Sequence, residues 1–124
     1  MKVGIVGSRR WNNRGMVEAL VNELPENCTI ISGGCRGVDS WAAEAARSRG
    51  LDVIEFLPDL PASGPHWAYT KAYHARNRKI AENSDVIYAF VASDRRGGAE
   101  NTIKHARDLG TRVEVISENN SQSQ

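Results

Sequence analysis

The sequence predicts an α/β fold, a Rossmann-like three-layer sandwich built around a five-stranded parallel sheet. Two observations carry this reading. Short β-branched runs alternate with longer segments of helical period along the chain, the pattern of strands buried on both faces and joined by crossover helices. Glycine or proline then stands where those helices should stop: Pro25 after the first, Gly50 after the second and Gly110 after the fourth.

Taken in order, the apolar run Lys2 to Val6 is the first strand, and the segment Asn13 to Leu24 the first helix. Cys28 to Ser32 (CTIIS) reads as a buried strand and the alanine-rich Val38 to Arg49 as the second helix. Asp52 to Phe56 is the third strand. Leu57 to Pro65 (LPDLPASGP) is rich in proline and glycine and reads as a loop leading to a third helix, His66 to Asn83. Asp85 to Val91, Ala99 to Leu109 and Arg112 to Ile116 supply the fourth strand, fourth helix and fifth strand. No internal repeat or linker interrupts the pattern, so 124 residues predict one domain, residues 1–117, with a core large enough to need no staple. The polar tail 118–124 (ENNSQSQ from its first residue) lacks apolar anchors and is expected to be disordered.

Sixteen Lys+Arg against 15 Asp+Glu give a formal charge of +1; the molecule as a whole lacks the field of a basic duplex-binding protein. Twelve of the 16 cations are arginine, whose planar fork grips phosphate bidentately. Right-handed crossovers gather the loops at the strand C-termini on one edge, where ligands of doubly wound sheets bind. Those loops are Gly7 to Trp11, Ser32 to Gly37, Leu57 to Pro65 and Ala92 to Gly98, and they bring Arg9, Arg10, Arg36, Arg95 and Arg96 together, with Arg14, Arg76 and Arg78 on adjoining helices.

The turns Gly33-Gly34 and Gly97-Gly98 each precede a helix, so their amides are candidates for holding an anion. Neither is a GxGxxG fingerprint nor a GK[ST] P-loop. Asp39, opening the second helix, is read as a cap of exposed amides, with ribose contact as the alternative. Arg36 is read as an anion ligand, against an edge ion pair with Asp39 or Glu100. Trp11 is the candidate for stacking on a base, and Trp41 a packing residue.

Cys28 and Cys35 have neither a CxxC partner nor a nearby histidine cluster, and His66, His74 and His105 are scattered; no metal site and no cofactor is expected. Free cysteines, the lack of a signal peptide in MKVGIVGS and the lack of a span long enough for a bilayer point to a cytoplasmic protein without a membrane partner.

GSRRW after the first strand, SGGCRGVDSWAAEAARSRG after the second, HARNRKIAENSDVIYAF into the fourth and RRGGAENTIKHARDLG after it together resemble the SLOG superfamily, which contains the DprA (Smf) DNA-processing proteins and the lonely-guy phosphoribohydrolases. The pattern is most similar to its small stand-alone members of the YspA-like type. The resemblance implies a Rossmann-like domain that binds a nucleotide or nucleotide derivative through its phosphate. The expected ligand-binding residues are Gly7, Ser8, Arg9, Ser32, Gly33, Gly34, Arg36, Gly37, Arg76, Arg78, Gly97, Gly98, Glu100 and Asn101. By the lonely-guy pattern, Arg76 would orient a ribose phosphate, while the catalytic glutamate position falls on Asn101 with Glu100 beside it. A sensor or binding module is therefore the expected role. A nucleoside 5′-monophosphate phosphoribohydrolase using Arg76 and Glu100, and single-stranded DNA binding in the DprA manner, are the alternatives. SLOG relatives also imply a homodimer.

Overall fold

In a computed structural model of the chain, describing residues 1–117, strands and helices alternate as β1 (Lys2–Gly7), α1 (Arg14–Glu23), β2 (Thr29–Ser32), α2 (Val38–Ser48), β3 (Asp52–Glu55), α3 (His66–Glu82), β4 (Val86–Val91), α4 (Gly98–Leu109) and β5 (Arg112–Ser117). Each end lies within one residue of its predicted place, and the small shifts have local causes. Asn13 stands outside α1 because its Oδ1 accepts the Met16 amide at 3.2 Å and so caps the helix. Asp85 anchors the chain just before β4: its carboxylate accepts the Lys2 amide at 2.8 Å. The predicted tail, 118–124, falls outside the described residues.

All five strands are parallel, in the order β3-β2-β1-β4-β5. The chain therefore winds outward from β1 in one direction, then crosses back to add β4 and β5 on its other side. The switch point lies between β1 and β4, which stay paired up to Gly7↔Phe90, and the crevice forms where the loops that follow them part to opposite faces of the sheet. One face of the sheet is covered by Val17 and Val21 of α1 and Val38, Ala42 and Ala46 of α2, packed on Val3, Ile5, Ile30 and Phe90. The other carries Ile80 and Ala81 of α3 and Ala99, Ile103 and Ala106 of α4, packed on Val6, Ile31, Ile87, Ala89 and Val91.

The alanines of α2 let that helix lie close on β1, and Gly7 marks the tightest point. A methyl group there would lie 2.4–2.8 Å from Val38 side-chain atoms, closer than any real packing contact. Gly7 thus sets how near the start of α2 comes to the end of β1, and hence the width of the crevice above them.

Trp11 departs from expectation. Its ring is 2 % exposed and meets Phe90 edge-on at 5.2 Å between centroids, with Nε1 donating to the Asn13 carbonyl at 2.9 Å. It closes the core beneath the β1–α1 loop and offers no face to a base. Trp41 packs against the same core.

Candidate functional site

At the switch point opens a cleft of about 440 Å³, walled by the β1–α1 loop (Gly7, Ser8, Arg9, Arg10), by Cys35, Arg36 and Asp39 around the start of α2, by the Thr70–Asn77 stretch of α3, and by Asp94 to Thr102 at the start of α4. A second hollow of about 430 Å³, under Gly33, Gly34, Leu57 and Pro58, shares Arg9, Cys35, Arg36 and Tyr73 with the first. The two meet across these four residues.

Arg76 forms part of the cleft wall. It is 7 % exposed, and each arm of its guanidinium is held: Nε donates to Asn77 Oδ1 at 2.9 Å, Nη1 to the Gly33 carbonyl at 2.7 Å, and Nη2 to Cys35 Sγ at 3.5 Å. Tyr73 lies against it, with the guanidinium carbon 5.7 Å from the ring centroid. Every hydrogen-bond acceptor is neutral, and no carboxylate reaches ion-pair distance of Arg76 among the described residues. Burying a cation without a counter-ion in contact is costly. An anion entering the cleft would be the first to touch it.

Asp39 is the nearby negative charge. Also 7 % exposed, it accepts the Cys35 amide on Oδ2 at 3.2 Å. Burial raises its pKa from 3.8 to about 6, against the opposing pull of the Cys35 amide, the charge of Arg76 and the Gly33 amide. Asp39 caps an exposed amide as expected, that of Cys35 in the turn before α2, and it stands in the first turn of that helix, whose N-cap residue is Gly37.

This arrangement also revises the first glycine turn. The Gly34 amide donates to Ser32 Oγ at 3.2 Å and the Cys35 amide to Asp39, so the bend satisfies itself rather than presenting amides to a guest. Ser32 is fully buried beneath it and its hydroxyl is turned inward. Gly33 contributes its carbonyl, to Arg76. The second turn differs. Gly97, Gly98 and Ala99 line the cleft, and their amides donate to no acceptor among the described residues. They lie at the positive end of the 12-residue α4.

Gly7, Ser8, Arg9, Arg36, Arg76, Gly97 and Gly98 are thus brought to one cleft; Ser32, Gly33, Gly34, Gly37, Arg78, Glu100 and Asn101 are not among its lining. Arg9, Arg36 and Arg96 make no ion pair among the described residues, whereas Arg10 pairs with Asp94 at the rim. The alternative ion pairs of Arg36, with Asp39 or Glu100, do not form. Glu100 is held by Arg95 through two bonds of 2.6 and 3.0 Å, outside the cleft wall. Arg78 faces Glu82 at 3.7 Å on the outer side of α3.

Asn77 is the residue that sequence reasoning missed. Buried, it accepts from Arg76 and donates to Asn101 Oδ1 at 3.1 Å and to the Gly98 carbonyl at 3.4 Å. It joins the guanidinium to the start of α4. The available signal was an amide in mid-helix between two arginines, a poor helix former unless its side chain has a tertiary partner. Thr70, Tyr73 and His74, one turn earlier on the same face, complete that wall. His105 has a buried Nε2 with no partner among the described residues, and burial together with the charges of Arg78 and His74 lowers its pKa. Among the described residues no three His, Cys, Asp or Glu side chains converge as a metal site would require.

A ligand-sized cleft at the switch point of a five-stranded parallel sheet, lined by free helix amides and a counter-ion-poor buried arginine, defines the chain as a Rossmann-like α/β domain with a candidate anion site. Its residues 1–62, half the chain, match the YspA, cpYpsA-related SLOG family (YAcAr), and the chain belongs to that family. Among solved structures, DNA processing protein A (DprA) from Streptococcus pneumoniae is similar, with a TM-score of 0.74 and 25% sequence identity over 92% of this chain and 49% of that one. The chain accordingly spans about half the length of that protein. No curated protein gives a match. No helix among the described residues is long and apolar enough to cross a membrane.

Proposed function

We propose that the cleft binds a phosphate-bearing nucleotide or nucleotide derivative, and that the domain acts as a binding or sensor module. One observation carries the reading: Arg76 is buried at the cleft wall, fixed by neutral acceptors and in contact with no carboxylate. Arg9 and Arg36 supply further donors from the β1–α1 loop and the turn before α2, and the Gly97, Gly98 and Ala99 amides complete an anion cradle. Thermal-shift screening and native mass spectrometry against a nucleotide library test it. A guest at 100 times its Kd stabilises the fold by about 2.7 kcal/mol; no shift with any phosphate-bearing nucleotide counts against the reading.

Hydrolysis in the lonely-guy manner is disfavoured by the Arg95 pairing of Glu100 and by the amide at residue 101, since a glycosidic oxocarbenium centre calls for a carboxylate. Incubation with nucleoside monophosphates, followed for free base, is its direct test. Single-stranded DNA binding has specific support in the DprA likeness and in the continuity of the two hollows across Arg9 and Arg36. It requires an affinity that falls linearly with salt on logarithmic axes.

A homodimer belongs to the same reading. Leu57, Leu60 and Trp67 (66 % exposed) flank a groove beside Ala68, Ala72 and Ala75 of α3, bordered by Asp59, Lys71 and Lys79, and its small residues permit close helix approach. Sedimentation equilibrium would find a monomer throughout if that face has no second copy as partner. Free Cys28 and Cys35 fit a reducing, cytoplasmic setting.

A further inference from the structure

We infer that Asp39 makes the cleft selective for ribonucleotides over their deoxy counterparts, by accepting a sugar hydroxyl beside the phosphate that Arg76 receives. The inference rests on the cleft reading above and adds the chemistry of the sugar to it.

Two complementary groups stand side by side. A methyl group on Gly33 would lie 2.8 Å from Arg76 Nη1 and 2.9 Å from Asp39 Oδ2, so the two side chains flank one backbone position. They nevertheless make no ion pair. Arg76 donates to the Gly33 carbonyl and Asp39 is fixed through Oδ2 by the Cys35 amide. Each is therefore held by the main chain in a set position, facing the same cleft, rather than locked to the other.

Asp39 Oδ1 accepts from no group among the described residues. Asp39 itself lines the cleft, which leaves this oxygen as its unused acceptor there. A carboxylate oxygen among arginines repels a second anion but accepts an O–H readily, and hydrogen bonds to a charged group are the stronger kind. A phosphate alone leaves this oxygen without a partner. A phosphate with a hydroxyl-bearing sugar satisfies both groups, and a guest that covers the oxygen without supplying the hydroxyl leaves it desolvated and unpaired, the situation that gives a site its sharpest discrimination.

Calorimetric titration of the purified chain with the four common ribonucleoside 5′-monophosphates, and with their 2′-deoxy and 3′-deoxy analogues, tests the inference near neutral pH. For any base that binds, loss of one of the two hydroxyls is expected to weaken affinity about tenfold or more, in line with a hydrogen bond to a charged acceptor. Asp39→Asn, which keeps an oxygen for the Cys35 amide, should reduce that preference to about threefold or less while phosphate affinity holds or rises. Equal binding of ribo and deoxy forms by the wild-type chain overturns the inference alone, as does a preference that follows the base and persists in both deoxy series. Absence of binding by every nucleotide overturns the cleft reading and this inference together. The wild-type comparison decides the matter even if the variant folds poorly.

Discussion

Replacing Asp39 by Asn should change the pH dependence of stability in a way that isolates this one group. Its pKa rises from 3.8 to about 6 on folding because the carboxylate is buried. Between those values the folded chain holds a proton that the unfolded chain has released. The contribution of Asp39 to stability is thus fully present below about pH 4 and is lost as pH rises through 6. A shift of about two units corresponds to about 3 kcal/mol. The variant cannot titrate here, and its amide oxygen can still receive the Cys35 amide. Relative to wild type, Asp39→Asn should be more stable at pH 7 to 8, and the difference should fall by about 3 kcal/mol on acidification to about pH 4. Urea denaturation of both proteins at matched pH and ionic strength gives the two curves, and subtraction removes every other titrating group. A difference that does not vary with pH would refute the account of Asp39 as a buried acid.

Four further outcomes are expected. Gly7→Ala must push Val38 and the start of α2 away from β1, because the new methyl would overlap a β-branched side chain rooted in a helix; a loss of about 3 kcal/mol in urea unfolding is expected, the upper end of overpacking costs. Arg36→Ala should weaken a bound nucleotide by about 1.5–3 kcal/mol, as for one charge-assisted hydrogen-bonding group, read by calorimetry with unfolding unchanged. Asn77→Ala strips partners from Arg76, Asn101 and the Gly98 carbonyl at once and should cost about 1–3 kcal/mol of stability as well as affinity. Glu100→Gln frees only the rim arginine Arg95. It should change stability by less than about 1 kcal/mol and leave nucleotide affinity within about twofold, whereas a strong effect on turnover would revive the hydrolase reading.

The alternation of β-branched and helical segments made the fold legible because a doubly wound sheet buries its strands on both faces, as it does most of CTIIS and DVIYAFV. The edge where the guest should enter followed from that topology, and with it Arg9, Arg36, Arg76 and the Gly97-Gly98 turn. Less legible was which way polar groups face. Ser32 and Asp39 lie close to the first glycine turn in sequence and could have served a guest or the turn itself. Only the fold decides that Ser32 closes the Gly34 amide from beneath. Trp11 was misjudged because an indole beside arginines has the same one-dimensional signature whether it covers a base or plugs a core. Asn77 carries no local signal of its partners, since Asn101 and Gly98 are 24 and 21 residues away.

The position of β1 governs how the molecule can be assembled. It pairs with β2 through Lys2↔Thr29 and with β4 through Val3↔Val86, so its second neighbour arrives only after most of the chain has been made. A nascent or clipped chain ending near residue 62, the limit of the family match, would hold β1, β2 and β3 as a three-stranded ribbon. The hydrogen-bonding edge of β1 would then be bare, and Val6 and Ile31 would lack the cover of α3 and α4. Such an edge is a template for pairing with other chains, so the half that carries the family signature needs the rest of the chain to cover it.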